Sequence, residues 1–91
     1  MDDATGLVEP SMLTRPTTLA DYETFHGAID IGTLRPEIRA RVERRRNEVA
    51  ELIRDDGELW EWSRGREFAA IGGLAVLRAG VVVRAWRDWR S

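Results

Sequence analysis

From Pro36 onward the apolar positions Ile38, Val42, Val49 and Leu52 fall on one stripe at helical spacing, with Ala50 and Ile53 beside it. This spacing predicts a helix over residues 36–54 that opens on a proline in its first turn. Arg45 stands where the stripe calls for an apolar side chain. Its aliphatic stem is expected along the core edge, with the guanidinium reaching solvent or an acid. Upstream, Leu19, Tyr22 and Phe25 follow Thr18-Leu19-Ala20-Asp21, a capping-box pattern in which a hydroxyl and a carboxylate satisfy free helix amides. A short helix over 19–26, closed by Gly27, is predicted. The stretch Ala28-Ile29-Asp30-Ile31-Gly32 alternates like a brief strand or extended link. Residues 1–16 hold Gly6, Pro10 and Pro16 with no sustained period and read as an extended arm, which Leu7, Val8, Met12 and Leu13 could pin down.

Beyond the Asp55-Asp56-Gly57 turn the period changes to two. Glu58 to Ser63 alternates, placing Trp60 and Trp62 on one strand face, as core, with Leu59 and Glu61 on the other. Residues 67–71, followed by Gly72-Gly73, read as one or two helical turns ended by glycine, with a strand continuation as the other reading. Leu74-Ala75-Val76-Leu77 and Val81 to Trp86, joined by Arg78-Ala79-Gly80, form a β-hairpin in which Gly80 takes the positive φ of the turn. The fold class is α+β: two helices packed on one face of a small antiparallel sheet of three or so strands, ending in a C-terminal β-hairpin. Residues 1–16 are the arm and 17–91 a single domain.

The run Gly57-Glu58-Leu59-Trp60-Glu61-Trp62, followed by Gly73-Leu74-Ala75-Val76-Leu77-Arg78 and Gly80-Val81-Val82-Val83, resembles short uncharacterised bacterial proteins that end in a similar strand and hairpin. The resemblance covers residues 57–83 and their surroundings. It implies the same fold and no particular activity.

Composition narrows the chemistry. At 43% hydrophobic and 33% charged residues the chain lies in the globular range, so it is expected to fold. With no cysteine, disulfides, thiolate nucleophiles and thiolate metal sites are excluded, which leans toward an intracellular protein. The first residues lack the basic and apolar regions of a signal peptide and no apolar run is long enough to span a membrane; a cytoplasmic protein without membrane contact is expected. All 14 basic residues are arginine, which excludes lysine chemistry. The net charge of −2 hides a gradient: residues 1–33 sum to −5, residues 34–54 to +3, and residues 55–91 to zero. An acidic lead-in thus precedes a basic helix, as an internal match or as two faces for different partners.

The catalytic inventory is sparse. His26 is the single histidine and stands at a helix end, where a cap or dipole partner is the ordinary role. No metal-ligand spacing occurs, Asp2-Asp3 and Asp55-Asp56 are neighbours in turns, and Ser11, Ser63 and Ser91 lie in no nucleophile elbow. Phosphate-loop and dinucleotide glycine patterns are missing. The sequence therefore points to no enzyme, no cofactor, no metal and no small-molecule ligand.

The remaining signal is aromatic and basic. Strict period two sets Trp86 with Val82 and Arg84 on one face of the last strand and Trp89 with Val83 and Arg87 on the other, so one tryptophan should be exposed or cover an edge. Arg84, Trp86, Arg87, Trp89 and Arg90 form the candidate interaction residues, since tryptophan beside arginine is the composition of interface hot spots. The bland reading is a stack of Arg87 or Arg90 on Trp86. The leading expectation is a non-enzymatic protein-interaction module acting through this strand, with a homodimer across an open edge at 81–87 as one form of it. The alternative is nucleic-acid binding through Arg41, Arg44 and Arg45 with the C-terminal aromatics, although Glu37, Glu43, Glu48 and Glu51 offer those arginines partners on the same helix. A third class, a small inhibitor or accessory factor of mobile-element type, has only small size and the lack of catalytic groups behind it.

Overall fold

The computed structural model describes residues 2–26, 31–66 and 68–91. Seven elements follow in chain order: β1 (Asp2–Asp3), β2 (Leu13–Pro16), α1 (Leu19–Phe25), α2 (Pro36–Arg54), β3 (Glu58–Arg64), β4 (Ile71–Arg78) and β5 (Val81–Arg90). Short 3₁₀ turns at Pro10–Met12 and Ile31–Thr33 join them. The fold is α+β, and the sheet has five antiparallel strands in the order β1-β5-β4-β3-β2.

The two strands beyond the expected three come from residues 1–16. An arm with prolines was expected to lie outside the domain; instead β1 pairs with β5 and β2 with β3, so the arm supplies both edges of the sheet. Pro16 sits there as the last residue of an edge strand, where its missing N–H breaks no inner ladder.

α2 covers the span its apolar stripe predicts, Pro36 to Arg54, with Val42, Arg45 and Val49 buried. α1 begins at Leu19 because the Thr18 hydroxyl accepts from the Asp21 amide at 3.1 Å, and it closes on His26. Gly27, the link at 28–30 and Glu67 lie outside the described residues. Phe68 to Ala70 form a turn rather than a helix, and β4 then runs straight through Gly72 and Gly73.

Both sheet faces are covered. On one, Leu59, Leu74, Val76 and Trp86 meet Tyr22 of α1 and Val49 of α2. On the other, Trp62, Ala75 and Ala85 meet Ala4 and Val8 of the arm. Trp62 is buried to 1% exposure, and its indole N–H donates to the carbonyls of Leu74 and Trp86 at 3.1 and 2.9 Å. Trp60 shares that face and is half-buried.

Two shifts of register break the period-two rule in β5. Val76 pairs with Arg84 but Leu77 with Val82, leaving Val83 as an extra residue; Gly72 pairs with Trp89 but Gly73 with Arg87, leaving Asp88 extra. Such bulges turn successive side chains toward one face. Val82 accordingly packs with the arm-side cluster and Val83 with the helix-side cluster, the reverse of the strict alternation.

Candidate functional site

The candidate residues gather on β5 and on the face of α2 packed against it. Trp86 is 3% exposed and belongs to the core. It cannot serve as a surface anchor, because the bulge at Val83 keeps it on the helix side of the sheet. The guanidiniums over its ring are those of Arg84, 4.7 Å from the ring centre, and Arg45, 6.0 Å away, rather than Arg87 or Arg90. Trp89 is half-buried beside Gly72, where a Cβ would come within 2.2 Å of its ring. The bulge at Asp88 thus brings Trp89 to the partner of Gly72, on the face that Leu74 and Trp86 share by alternation.

Arg84 joins three segments. Its Nε donates to Glu48 of α2 at 2.7 Å and its Nη1 donates to Asp3 of β1 at 2.6 Å. Arg87 likewise donates to Asp2 at 2.5 Å. Arg90 is exposed and forms no ion pair among the described residues. The acidic lead-in and the basic segments are therefore largely an internal match: Arg46 also pairs with Glu23 of α1 at 2.6 Å, and Arg15 with Glu61. No ion pair lies within α2; its charges reach across to α1 and β5.

Of the basic helix residues, Arg45 is turned inward, 7% exposed, with Nη1 donating to both Asp88 oxygens at 2.6 and 2.5 Å. The Tyr22 hydroxyl donates to the same carboxylate at 2.6 Å. Burial, and then the bond to Asp88, push the Tyr22 hydroxyl well above its ordinary value, so it stays a protonated donor. Arg41 and Arg44 are exposed and line a cleft of about 110 Å³ with Arg45, Glu48, Arg84 and Trp86. A second hollow, about 360 Å³, lies at the end of β5 and is lined by Asp2, Arg87, Asp88, Trp89 and Arg90.

The His26 ring lies against that of Tyr22, with centres 4.4 Å apart and planes inclined at 48°, and its Nε2 lies 3.8 Å from Glu61 Oε1. Among the described residues no group of three or more acids and histidines gathers that could hold a metal ion, and no helix is long and apolar enough to cross a membrane. Asp2 and Asp3 sit below the usual carboxylate range, Asp2 chiefly through the hydrogen bond from Arg87 and Asp3 chiefly through those from Thr5. What this surface can do chemically is hold anionic or carboxylate-bearing groups with guanidinium forks and bury apolar area beside Trp89.

Sequence reasoning passed over Asp88; it gave Glu48 arginine partners on its own helix and set Asp3 in a turn, whereas both acids meet Arg84 of β5. One signal was available: Asp88 is the sole acid in the C-terminal run from Val81 to Ser91. Compared with protein-family models, curated proteins and solved structures, the chain matches none.

Proposed function

We propose that this chain is a non-enzymatic protein-interaction module whose contact surface is the end of β5, at Arg87, Trp89 and Arg90. The observation that carries the reading is the hollow these residues line, where a half-buried tryptophan stands between two arginines. Tryptophan and arginine in a partly desolvated pocket are the residue types that dominate binding energy at interfaces. Arg84 and Trp86 act beneath this surface by holding β5 to α2 and β1. The outer edge of β5 also favours a contact, because β1 pairs with it only at Trp86 and Arg87 and Val81 is 60% exposed. A second copy joining there, in the cytoplasm, is the homodimeric form of the proposal.

Analytical ultracentrifugation of the wild type and of a Trp89→Ala/Arg90→Ala variant tests it, with thermal melting as the check on folding. Concentration-dependent association that weakens about tenfold or more in a folded variant is expected. A wild type that is monomeric at every concentration removes the homodimer. If in addition the partners captured by cross-linking are the same for the folded variant, the β5 surface is not the contact.

A further inference from the structure

Arg41, Arg44, Arg45 and Glu48 recur at spacings of three and four on α2 and so share one helix face. With Arg84 and Trp86 they enclose the cleft of about 110 Å³. The charges in this cleft are unequally matched. Arg45 is met by Asp88, and Arg84 is divided between Glu48 and Asp3. Arg41 and Arg44 have no ion-pair partner among the described residues. Asp2, already bound by Arg87, is near enough to feel the charge of Arg41 but is not bonded to it.

We propose that this cleft binds a phosphate-monoester group, held by Arg41 and Arg44 with Arg84 behind them. Two guanidiniums one helical turn apart approach a group from two directions; a carboxylate carries one charge and accepts only in its own plane, whereas a tetrahedral dianion carries about two and offers a separate pair of oxygens to each fork. A single water needs only about 10–15 Å³ of such space, so the cleft has room for a phosphate group and a few waters. Glu48 does not oppose this, because its carboxylate is taken by the Nε of Arg84 at 2.7 Å. A nucleic-acid strand is favoured less: it needs cations spaced along a backbone, whereas these two share one concavity on a chain of net charge −2. The cleft shares no lining residue with the hollow beside Trp89 and does not depend on it.

The test is an NMR titration at constant ionic strength that follows the arginine Nε–H and tryptophan indole signals. The probes are inorganic phosphate, a nucleoside monophosphate, O-phosphoserine, acetate and a short single-stranded oligonucleotide. Saturable shifts at Arg41, Arg44, Arg84 and Trp86 are expected with the phosphates and not with acetate. A folded Arg41→Ala/Arg44→Ala variant, which alters two exposed side chains, should bind about tenfold or more weakly. Tighter binding of the nucleotide or of phosphoserine identifies the source of the group, and equal binding of all three means that only the phosphate is read. Linear shifts, an equal response to acetate, or unchanged affinity in the variant overturn the proposal. Tighter binding of the oligonucleotide than of any monoester overturns it in favour of nucleic acid.

Discussion

A guanidinium in the apolar stripe of a helix persists only where an acid meets it, because an unpaired buried ion costs several kcal/mol. Arg45 meets Asp88, and Asp88 also accepts the hydroxyl of Tyr22, so three elements are tied at one carboxylate. Asp88→Ala leaves Arg45 buried without its partner and is expected to cost about 3–5 kcal/mol, with Arg45→Ala close behind. The double variant Arg45→Met/Asp88→Leu leaves no orphan charge and should recover most of that loss. Urea denaturation of the three variants checks this; additive losses in the double variant would mean that the two charges do not depend on each other. That the Arg45 stem would line the core edge and its guanidinium reach solvent or an acid was legible, since a charged residue on an apolar stripe has few other solutions. The identity of the acid was not, because 43 residues separate the pair and only the packing of α2 on β5 brings them together.

At the scale of elements, the helix over 36–54 was legible to the residue, because a long amphipathic stripe and a proline at its start speak with one voice. The strand containing Trp60 and Trp62 and the turn at Ala79-Gly80 were legible for similar reasons; φ is +80° at Gly80 and 51° at Ala79. The last strand was misread at its faces. Alternation holds only while the ladder keeps register, and two bulges reset it at Val83 and Asp88. Gly73 is what lets the second bulge form: a Cβ there would stand 2.1 Å from the Trp86 carbonyl oxygen and 2.9 Å from the Asp88 amide nitrogen. Gly73→Ala should therefore cost about 3 kcal/mol, since the obstruction is backbone and cannot rotate away. Thermal unfolding measures the loss, and a change in the Trp62 indole N–H signal, which reports the bond to that same carbonyl, should accompany it.

For the whole molecule the arm decides whether the second sheet face is covered. β1 is short, and its hold depends on Asp2 with Arg87, Asp3 with Arg84 and the Ala4 amide, which donates to Ala85 at 3.0 Å. Both carboxyls titrate below their ordinary value of 3.8. A carboxylate lowered in the folded state stabilises above its ordinary value and loses that contribution as pH falls through the folded value. Both are exposed, so the arm is expected to loosen from about pH 4 downward before the domain unfolds. Heteronuclear NOE values at Ala4 and Thr5 should fall over that range, and Asp2→Asn/Asp3→Asn should show the lower values already at neutral pH; a rigid arm in that variant would mean that Ala4 and Val8 suffice to hold it. By itself the sequence determined the two helices, the three central strands and the poverty of catalytic groups, because each rests on local periodicity, turn chemistry or residue inventory. Only the tertiary structure decided that residues 1–16 form both sheet edges, that Trp86 is core, and which arginines remain unpaired. Those outcomes depend on strand register and long-range charge pairing, which arise from contacts between segments far apart in the chain and leave no period along it.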